Sequence, residues 1–360
     1  STLSSSSAAS DVYKRQVEDV RGFLGNFEVS IKNLKQEGTS SEFLVGAVVV
    51  ATGFDLWSSK DMAAYGYGEI DNVINAVEFE KMAASDEIQL KNGKPPQSIA
   101  LIHCVGRKEK GYCSKVCCLY SIKFAHQLKD KLPKADVHEF YSDLCLPEKK
   151  DQDYFEAVKD KGVHFIWSDD IKIKKKEGKI LVEYQDSNQK KESIEVDMAV
   201  LAPAMVPAEG SKRLAEILNI PLDETGFFKE THSMLEPVST SIEGIFIAGC
   251  ASGPKNIPES IVQSQAASGK ILSSLIPGKK LEPEVKVSQI NEKFCTGCQT
   301  CLTVCCYGAI SFDEFKGVSV VNEAICRGCG NCVGSCPSGA IRSKHFTYSE
   351  LYQEVLASLR

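Results

Sequence analysis

Eight cysteines near the carboxyl end of the chain occur in two runs with the same C-x2-C-x2-C-x3-C spacing. The first run contains Cys295, Cys298, Cys301 and Cys305, and the second contains Cys326, Cys329, Cys332 and Cys336. Three thiolates two residues apart can wrap around one face of an iron–sulfur cube, and the fourth ligand then comes from the other run. The spacing therefore predicts two [4Fe-4S] clusters with crossed ligand sets. These sets are Cys295, Cys298, Cys301 with Cys336, and Cys326, Cys329, Cys332 with Cys305.

The residues around the two runs repeat as well. Ile290-Asn291-Glu292 returns as Val321-Asn322-Glu323, and Gly308-Ala309-Ile310 returns as Gly339-Ala340-Ile341. A constant offset through strands and ligands indicates a pseudo-twofold α+β domain of the two-cluster ferredoxin type. Zinc sites and disulfides are the alternatives. Zinc sites usually pair two C-x2-C knuckles or include histidine, and disulfides are disfavoured where no secretory signal is found.

Length and composition limit the remaining possibilities. A chain of 360 residues should form two or three domains, because a single core stops growing at about 250–300 residues. The net charge of −6 makes nucleic acid an unexpected partner. Fifteen cysteines without an export signal favour a reducing, cytoplasmic compartment and metal sites over disulfides. No apolar run reaches the roughly 18 residues of a membrane span.

The first residues do not resemble the rest of the chain. Residues 1–16 open with a serine-rich run that has no hydrophobic pattern, and the chain does not begin with Met. We treat this segment as non-native or disordered and exclude it from the fold. The remainder is expected to be the carboxyl-terminal part of a longer protein.

Several apolar runs without alternation predict strands that are buried on both faces. They cover residues 43–51, 98–102, 198–202 and 245–248. A further βα pattern occupies residues 136–167, and a charged hairpin follows at 171–182. Buried strands that alternate with helices predict an α/β fold with a Rossmann-type parallel sheet.

Two of these strands end at glycine. Residues 43–51 lead into Thr52-Gly53, and residues 245–248 lead into Gly249-Cys250, before a helix that follows Pro258. A strand–Gly–helix unit offers free N–H groups to an anion or a flavin. It resembles the second flavin motif of flavin reductases, in which Asp usually stands where Cys250 is. For Thr52-Gly53 a plain strand-to-loop turn is the alternative. The candidate flavin contacts are Thr52, Gly53, Gly249, Cys250, Ile257, Pro258 and Gln263.

Four more cysteines follow the strand at residues 98–102, where a nicotinamide-binding domain would carry G-x-G-x-x-G. They are Cys104, Cys113, Cys117 and Cys118. Cys113 and Cys117 are four residues apart and are expected to share a face of the helix that continues over 119–131. Buried free thiols are the alternative. Four cysteines within fifteen residues favour a third cubane cluster.

The remaining cysteines and the histidines show no ligand spacing. Cys145 is interpreted as an ordinary loop cysteine, and Cys306 stands where bacterial ferredoxins usually have proline. The histidines are expected to be satisfied or exposed: His103, His126, His138, His164 and His232. No residue has the pattern of a catalytic nucleophile or general base, and none is assigned.

With these pieces placed, residues 17–360 resemble the carboxyl-terminal part of the A subunit of heterodisulfide reductase. The motifs that carry the resemblance are Tyr65-Gly66-Tyr67-Gly68, His103-Cys104-Val105-Gly106, Tyr112-Cys113 to Cys117-Cys118, Gly249-Cys250, Gly253-Pro254-Lys255, Ile257-Pro258 and the double cysteine run. The resemblance implies a thioredoxin-reductase-like flavoprotein in which an iron–sulfur cluster replaces the nicotinamide site. It also implies that the four upstream cysteines are ligands and that Cys250 is normal for the family.

The same resemblance implies cofactors and partners. The family carries FAD and several [4Fe-4S] clusters, and it works with other heterodisulfide reductase subunits, a hydrogenase- or dehydrogenase-type electron donor, and ferredoxin. Its FAD is expected to split electron pairs between a heterodisulfide path and low-potential ferredoxin. The first flavin fingerprint is not found in this sequence, since Arg21-Gly22-Phe23-Leu24-Gly25 does not supply G-x-G-x-x-G. This chain alone is therefore expected to bind FAD poorly or not at all.

The predicted organisation is a split FAD domain, a cysteine-bearing region inserted in it, a ferredoxin domain and a docking helix. The respective ranges are 17–96 with 203–280, 97–202, 284–345 and 346–360. One alternative function is an NAD(P)H-dependent flavin reductase fused to a ferredoxin, like the small subunit of glutamate synthase. Another is a zinc-stapled interaction module.

Overall fold

The computed structural model describes residues 15–33, 40–85, 87–275, 287–323, 325–326, 328–344 and 346–358. Its strands are β1 (Arg15–Phe23), β2 (Asn26–Asn33), β3 (Ser40–Val45), β4 (Val48–Val50), β5 (Phe54–Leu56), β6 (Val73–Asn75), β7 (Ser98–Val105), β8 (Asp136–Tyr141), β9 (His164–Trp167), β10 (Ile171–Lys176), β11 (Lys179–Gln185), β12 (Lys191–Val196), β13 (Met198–Pro203), β14 (Met205–Pro207), β15 (Ile245–Ile247), β16 (Ser288–Ile290), β17 (Ile310–Asp313), β18 (Val318–Val321) and β19 (Ile341–Ser343). Its α-helices are α1 (Ala76–Ala84), α2 (Arg107–Lys110), α3 (Cys117–Lys131), α4 (Lys149–Asp160), α5 (Ser211–Leu218), α6 (Ile257–Ser274), α7 (Thr300–Val304), α8 (Asn331–Gly334) and α9 (Tyr348–Ser358). Two 3-10 helices cover Asp61–Tyr65 and Gly249–Ser252. In these described ranges no helix is both long and apolar enough to cross a membrane.

A five-stranded parallel sheet forms the centre of the molecule, in the order β6-β13-β7-β8-β9. Every residue of β13 is buried, as the unbroken apolar run predicts for a strand covered on both faces. Helices α1, α3 and α4 cover one face around Phe79, Ile122 and Leu128. The small antiparallel sheet β10-β11-β12 covers the other face with Ile180 and Val182. The predicted α/β architecture is confirmed.

One edge strand of this sheet, β6, precedes the predicted domain boundary at residue 96. Strand β6 pairs in parallel with β13, with Val73 opposite Ala199. Helix α1 follows β6 at once, and Asn75 and Glu78 close a capping box around its first turn. The boundary at 96 therefore separates β6 and α1 from the sheet to which they belong.

The charged hairpin forms as predicted from β10 and β11. Lys176 faces Lys179 across a two-residue turn. Glu177 and Gly178 both have positive φ, 30° and 86°, as a tight hairpin turn between twisted strands requires.

A second unit combines the antiparallel sheet β1-β2-β3 with the parallel pair β4-β15 and helices α5 and α6. Phe27, Val50, Phe228 and Ile247 lie in its core. Strand β1 already begins at Arg15, so the last two residues of the excluded segment 1–16 pair with β2. Residues 1–14 lie outside the described residues.

The prediction of one buried strand over residues 43–51 is wrong. Strand β3 ends at Val45, and β4 begins only at Val48. Among the described strands, β3 pairs with β2 alone, and Leu44 on β3 is 73% exposed. The chain changes sheets at Gly46, whose carbonyl accepts a hydrogen bond from the Gly25 N–H at 2.7 Å. The continuous apolar run at residues 43–51 therefore corresponds to two short strands in two different sheets.

The carboxyl-terminal unit has the predicted internal symmetry. Strand β16 pairs with β19, and β17 pairs with β18, so each half contributes one strand to each pair. Cys301 and Ile310 from one half meet Cys332 and Ile341 from the other in a small core. The predicted docking helix appears as α9, and its apolar side chains are exposed. Residues 276–286, which include the predicted domain boundaries at 280 and 284, and residues 359–360 of the predicted helix lie outside the described residues.

Candidate iron–sulfur and flavin site

The four upstream cysteines gather at the carboxyl end of β7. Cys104 lies in this strand with a φ of +57°, a conformation that is uncommon for a residue other than glycine. The pairing of β7 with β13 shifts register here, before Val105 pairs with Pro203. Cys117 and Cys118 are the first two residues of α3. Cys104, Cys113 and Cys117 line one small cavity together with Ala202 and Ala204. A loop, a strand end and a helix start thus present sulfur atoms to a common space.

Cys113 does not share a helix face with Cys117, so that prediction is wrong. Helix α3 begins at Cys117, and Cys113 lies in the loop after α2. A hydrogen bond to β14 holds this loop in place, because the Met205 N–H donates to Ser114 Oγ at 2.9 Å. Lys115 then has a φ of +62°, which breaks any helix before Val116. Cys113 therefore approaches the cavity from the loop.

The thiols influence each other strongly. Contact with Cys117 lowers the pKa of Cys104 to about 5 and the pKa of Cys118 to about 4. The same contacts raise the pKa of Cys117. The Arg107 guanidinium lies near these thiols. Its Nη1 is 3.9 Å from Cys104 Sγ and 2.7 Å from an Asp143 carboxylate oxygen. Thiolates are the form that binds iron, so the surroundings of Cys104 and Cys118 suit ligands.

Cys145, which was predicted to be an ordinary loop cysteine because it has no ligand spacing, lies beside Cys118. The Cys145 N–H donates to Cys118 Sγ at 3.3 Å, and Cys118 Sγ lies 3.5 Å from the Asp143 carbonyl oxygen. The loop of residues 143–145 follows β8, the neighbour of β7. The carboxyl ends of parallel strands meet at one edge of a sheet. Because Cys145 follows the strand next to β7, the strand order could have predicted that it lies near Cys118, whereas ligand spacing could not.

A buried ion pair adjoins the same cysteines. His103 Nε2 lies 2.6 Å from Glu139 Oε1, and both side chains are 0% exposed. Burial by itself would lower the pKa of His103, but Glu139 and then Cys118 raise it to about 10. Burial raises the pKa of Glu139, and His103 opposes that effect. The expectation of an ordinary satisfied histidine missed this pair, because Glu139 comes from a different strand.

Among the described residues, no three His, Cys, Asp or Glu side chains are arranged to hold a single metal ion. A cubane cluster makes a different demand, because each of its four cysteines binds a different iron.

In the ferredoxin unit, Cys305 lines one cavity with three cysteines of the other run, Cys326, Cys329 and Cys332. This is the crossed set that the spacing predicts. Polar groups face these sulfurs, as the Ala309 N–H donates to Cys305 Sγ at 3.3 Å and the Ser288 N–H donates to Cys326 Sγ at 3.5 Å.

The other predicted set contains Cys298 and Cys336. A hydrogen bond from Thr300 lowers the pKa of Cys298, while the nearby Cys336 acts in the opposite direction. Cys306 is exposed and lines a groove with Lys212 and Lys229 of the preceding unit. It is not among the residues that line the cavity of Cys305.

The predicted flavin residues meet where β4 and β15 end. These two strands run parallel, and the Ala248 N–H donates to the Val50 carbonyl at 3.0 Å, which places Thr52-Gly53 beside Gly249-Cys250. Gly53 and Gly249 have φ values of +73° and +65°, which favour glycine. Gln263 Oε1 is buried without a hydrogen-bond partner in the described part of the chain. A ligand that donates to this oxygen would satisfy it.

The start of α6 is less open than the sequence suggested. Asn256 accepts from the Glu259 N–H at 2.8 Å, and Glu259 accepts from the Asn256 N–H at 3.0 Å, so a capping box uses two donors. Pro258 has no N–H to offer. Ile257 is 77% exposed. The glycine turns and Gln263 fit a flavin, but this helix start supplies fewer free N–H groups than expected.

The cysteine loop contacts helix α6 through one ion pair. Lys115, between Cys113 and Cys117, places Nζ 3.4 Å from Glu259 Oε1 in the first turn of α6. Tyr112 donates to the Met205 carbonyl at 2.8 Å and stacks edge-on against Phe227, with ring centroids 6.0 Å apart. The two predicted redox sites are therefore neighbours.

The turn after β7 differs from a nicotinamide-binding turn. Gly106 follows β7, but it precedes the four-residue helix α2 instead of a long dinucleotide-binding helix. The ring of Trp57 covers Gly106, and a Cβ atom added there would lie 2.7 Å from Trp57 Cδ2. This geometry disfavours the NAD(P)H-dependent alternative.

Comparisons with known proteins agree with these observations. Residues 294–340 match the family described as 4Fe-4S dicluster domain. The chain is 39% identical over 341 residues to the iron-sulfur A subunit 2 of the CoB–CoM heterodisulfide reductase of Methanopyrus kandleri, covering 90% of this chain and 52% of that protein. It is 35% identical over 293 residues to the A subunit of the H2:CoB-CoM heterodisulfide,ferredoxin reductase of Methanothermobacter thermautotrophicus, covering 78% of this chain and 44% of that protein.

Among solved structures, a thioredoxin reductase of T. acidophilum is similar with a TM-score of 0.45 and 13% identity, over 72% of this chain and 73% of that one. The chain spans about half the length of the curated relatives, 52% and 44% in the two cases above. Over this shared half, the chain is similar to the A subunits of heterodisulfide reductases.

Proposed function

We propose that this chain is the electron-transferring part of a heterodisulfide reductase A subunit, which is an oxidoreductase component that holds FAD and three [4Fe-4S] clusters. The observation that carries the proposal is the contact between the cysteine loop and the flavin segment through Lys115 and Glu259. Electron transfer between cofactors needs short distances, and here both predicted sites adjoin. The curated relatives named above support the same interpretation.

Each cluster has a proposed ligand set. Two clusters take the crossed sets of the ferredoxin unit, Cys295, Cys298, Cys301 with Cys336, and Cys326, Cys329, Cys332 with Cys305. The third takes Cys104, Cys113, Cys117 and Cys118. Clusters and FAD supply the electron chemistry when they are bound, while the protein sets their spacing, burial and potential. The low pKa values of Cys104 and Cys118 support the third set, because iron binds thiolates.

For FAD, the proposed contacts are the glycine turns and the first half of α6: Thr52, Gly53, Gly249, Cys250, Ile257, Pro258 and Gln263. The positive φ values of the two glycines and the unpartnered Gln263 Oε1 support this placement. Lys255 lies nearby, and burial followed by repulsion from Lys115 lowers its pKa. These residues are one side of a flavin site, so full binding is expected to need further protein.

The pathway of the electrons is also part of the proposal. The relatives' names mention a CoB–CoM heterodisulfide, and one also mentions H2 and ferredoxin. We infer that this chain works in a complex with other heterodisulfide reductase subunits, a hydrogenase- or dehydrogenase-type donor and ferredoxin, with electron bifurcation at FAD. The fifteen free cysteines support a cytoplasmic location.

The test is the content of iron and acid-labile sulfide in protein purified and reconstituted without oxygen. Three cubanes predict about 12 irons per chain. The double variant C117S/C118S should fall to about 8. The variant C145S is the matched control and should keep the full content, because Cys145 contacts Cys118 through its backbone N–H. About 8 irons in the unaltered protein would refute the third cluster.

A further inference from the structure

Ser288 contacts two cysteines that are assigned above to one cluster of the ferredoxin unit. It lies in β16 and is 1% exposed. The Ser288 N–H donates to Cys326 Sγ at 3.5 Å, and Ser288 Oγ lies 3.3 Å from Cys332 Sγ. Cys332 is also buried, so water has little access to the contact. Ser288 belongs to no ligand set, yet both its main chain and its side chain meet proposed ligands.

Iron binding fixes the direction of the contact between Ser288 Oγ and Cys332 Sγ. A cysteine binds iron as a thiolate, which carries no hydrogen on sulfur. In that form the Ser288 hydroxyl supplies the hydrogen, and Cys332 Sγ accepts it. A hydrogen bond to a ligand sulfur withdraws electron density from it and favours the reduced cluster. The hydroxyl of Ser288 is therefore placed to raise a reduction potential.

The internal repeat supplies a second serine at the equivalent position. The offset that relates the two cysteine runs also relates Ser288 in β16 to Ser319 in β18. Ser319 is similarly buried, at 2% exposed, but its Oγ has no hydrogen-bond partner among the described residues. The repeat would direct Ser319 to Cys301, the counterpart of Cys332, and no such hydrogen bond forms in the described structure. The two halves therefore share this serine but differ in its contact.

The neighbours of the two serines differ as well. Ser288 lies opposite Ser343 of β19. Ser319 lies opposite Phe312 of β17. Residues directly opposite each other in an antiparallel pair have their side chains on the same face. A small polar side chain therefore accompanies Ser288, and an aromatic ring accompanies Ser319. The two cysteine runs have the same spacing, but their surroundings are unequal.

We propose that Ser288 is a positioning residue whose hydroxyl donates a hydrogen bond to the Cys332 thiolate and thereby raises the reduction potential of the cluster that Cys332 binds. Ser319 leaves the potential of the other ferredoxin cluster unchanged. This inference rests on the proposed function, since it needs the two ferredoxin clusters, but it does not need the third cluster. The hydroxyl makes the Cys332 cluster a better electron acceptor than the same ligands would make it without Ser288.

The experiment measures the midpoint potentials of the clusters in the reconstituted full chain by redox titration followed by electron paramagnetic resonance. The variants C298S and C329S assign the two ferredoxin signals, because each removes an exposed ligand of one cluster at an equivalent position. The test variant is Ser288→Ala, and Ser288→Thr is the rescue variant that keeps a hydroxyl. The matched control is Ser319→Ala, which removes a similarly buried hydroxyl that has no partner in the described structure.

We expect S288A to keep the iron content of the unaltered chain. The potential of its Cys332 cluster should become more negative by about 59 mV, which is a tenfold change in the oxidised-to-reduced ratio of a one-electron couple. S288T should restore the potential of the unaltered chain, and S319A should leave all potentials unchanged. A general loosening of the ferredoxin unit would affect S288A and S319A alike, so the difference between them reports the hydrogen bond.

Three results would overturn the inference while leaving the proposed function intact. One is an unchanged potential of the Cys332 cluster in S288A at full iron content. Another is an equal shift of the other ferredoxin cluster in S319A. The third is loss of about four irons in S288A, which would make the hydroxyl necessary for building the cluster instead of tuning it. About 8 irons in the unaltered protein would refute the third cluster of the proposed function, whereas the two ferredoxin signals would still decide this inference.

Discussion

The contact between Gly106 and Trp57 gives a sharp test of how the cysteine-bearing edge of the sheet is built. Gly106 links β7 to α2 with a φ of +86°. A Cβ atom at this position would lie 2.7 Å from Trp57 Cδ2 and 2.9 Å from Cζ3, and closer still to Cε3. Trp57 is only 6% exposed and belongs to the core under the sheet, so its ring has little room to move. Gly106→Ala should therefore strain both the backbone and the core.

The size of the effect follows from two separate terms. A side chain in the left-handed region costs about 1–2 kcal/mol. Overpacking a filled core adds about 1–3 kcal/mol, so the variant G106A should lose about 2–5 kcal/mol in total. Gly111 provides the matched control at the other end of α2. Its φ is +76°, but a Cβ atom there would meet nothing within 4 Å. The variant G111A should lose only the first term.

The assay is urea denaturation of the reconstituted proteins without oxygen, followed by circular dichroism at matched iron content. The order of the midpoints is the observable, because bound clusters make a single free energy of unfolding poorly defined. We expect the highest midpoint for the unaltered chain, then G111A, then G106A. In a W57A background the two alanine variants should become equal, since the packing term has been removed. Equal midpoints of G106A and G111A with Trp57 present would refute the packing argument.

Two further predictions concern groups outside the cysteine cluster. Burial lowers the pKa of His138 from 6.5, and Asp136 opposes this effect. The unfolded chain therefore binds the proton more readily than the folded chain, so stability should fall as the pH drops below about 6.5. The variant H138Q should show a smaller loss of melting temperature between about pH 7.5 and 5.5 than the unaltered chain. An equal loss in both proteins would contradict the prediction. Asn256→Ala opens the capping box of α6 and should cost about 1 kcal/mol. An unchanged thermal midpoint would show that the cap contributes nothing.

The sequence by itself determined the elements that depend on local pattern. The double cysteine run predicted a pseudo-twofold domain, and β16 to β19 pair with that symmetry. Apolar runs predicted the central strands β7 and β13, because a strand covered on both faces excludes polar residues. The two-residue turn at Glu177 and Gly178 was also readable, since its conformation is a property of those residues.

Only the tertiary structure decided which separated residues meet. The run 43–51 divides at Gly46 because its two halves pair with different partners, and hydrophobicity does not record the partner. Cys113 leaves the helix because Ser114 is anchored to Met205, 91 residues away in sequence. Cys145 reaches Cys118, and Glu139 reaches His103, because β7 and β8 are neighbours in the sheet. Ligand spacing is a local property of the chain, whereas the surroundings of a ligand come from strands that the sheet brings together.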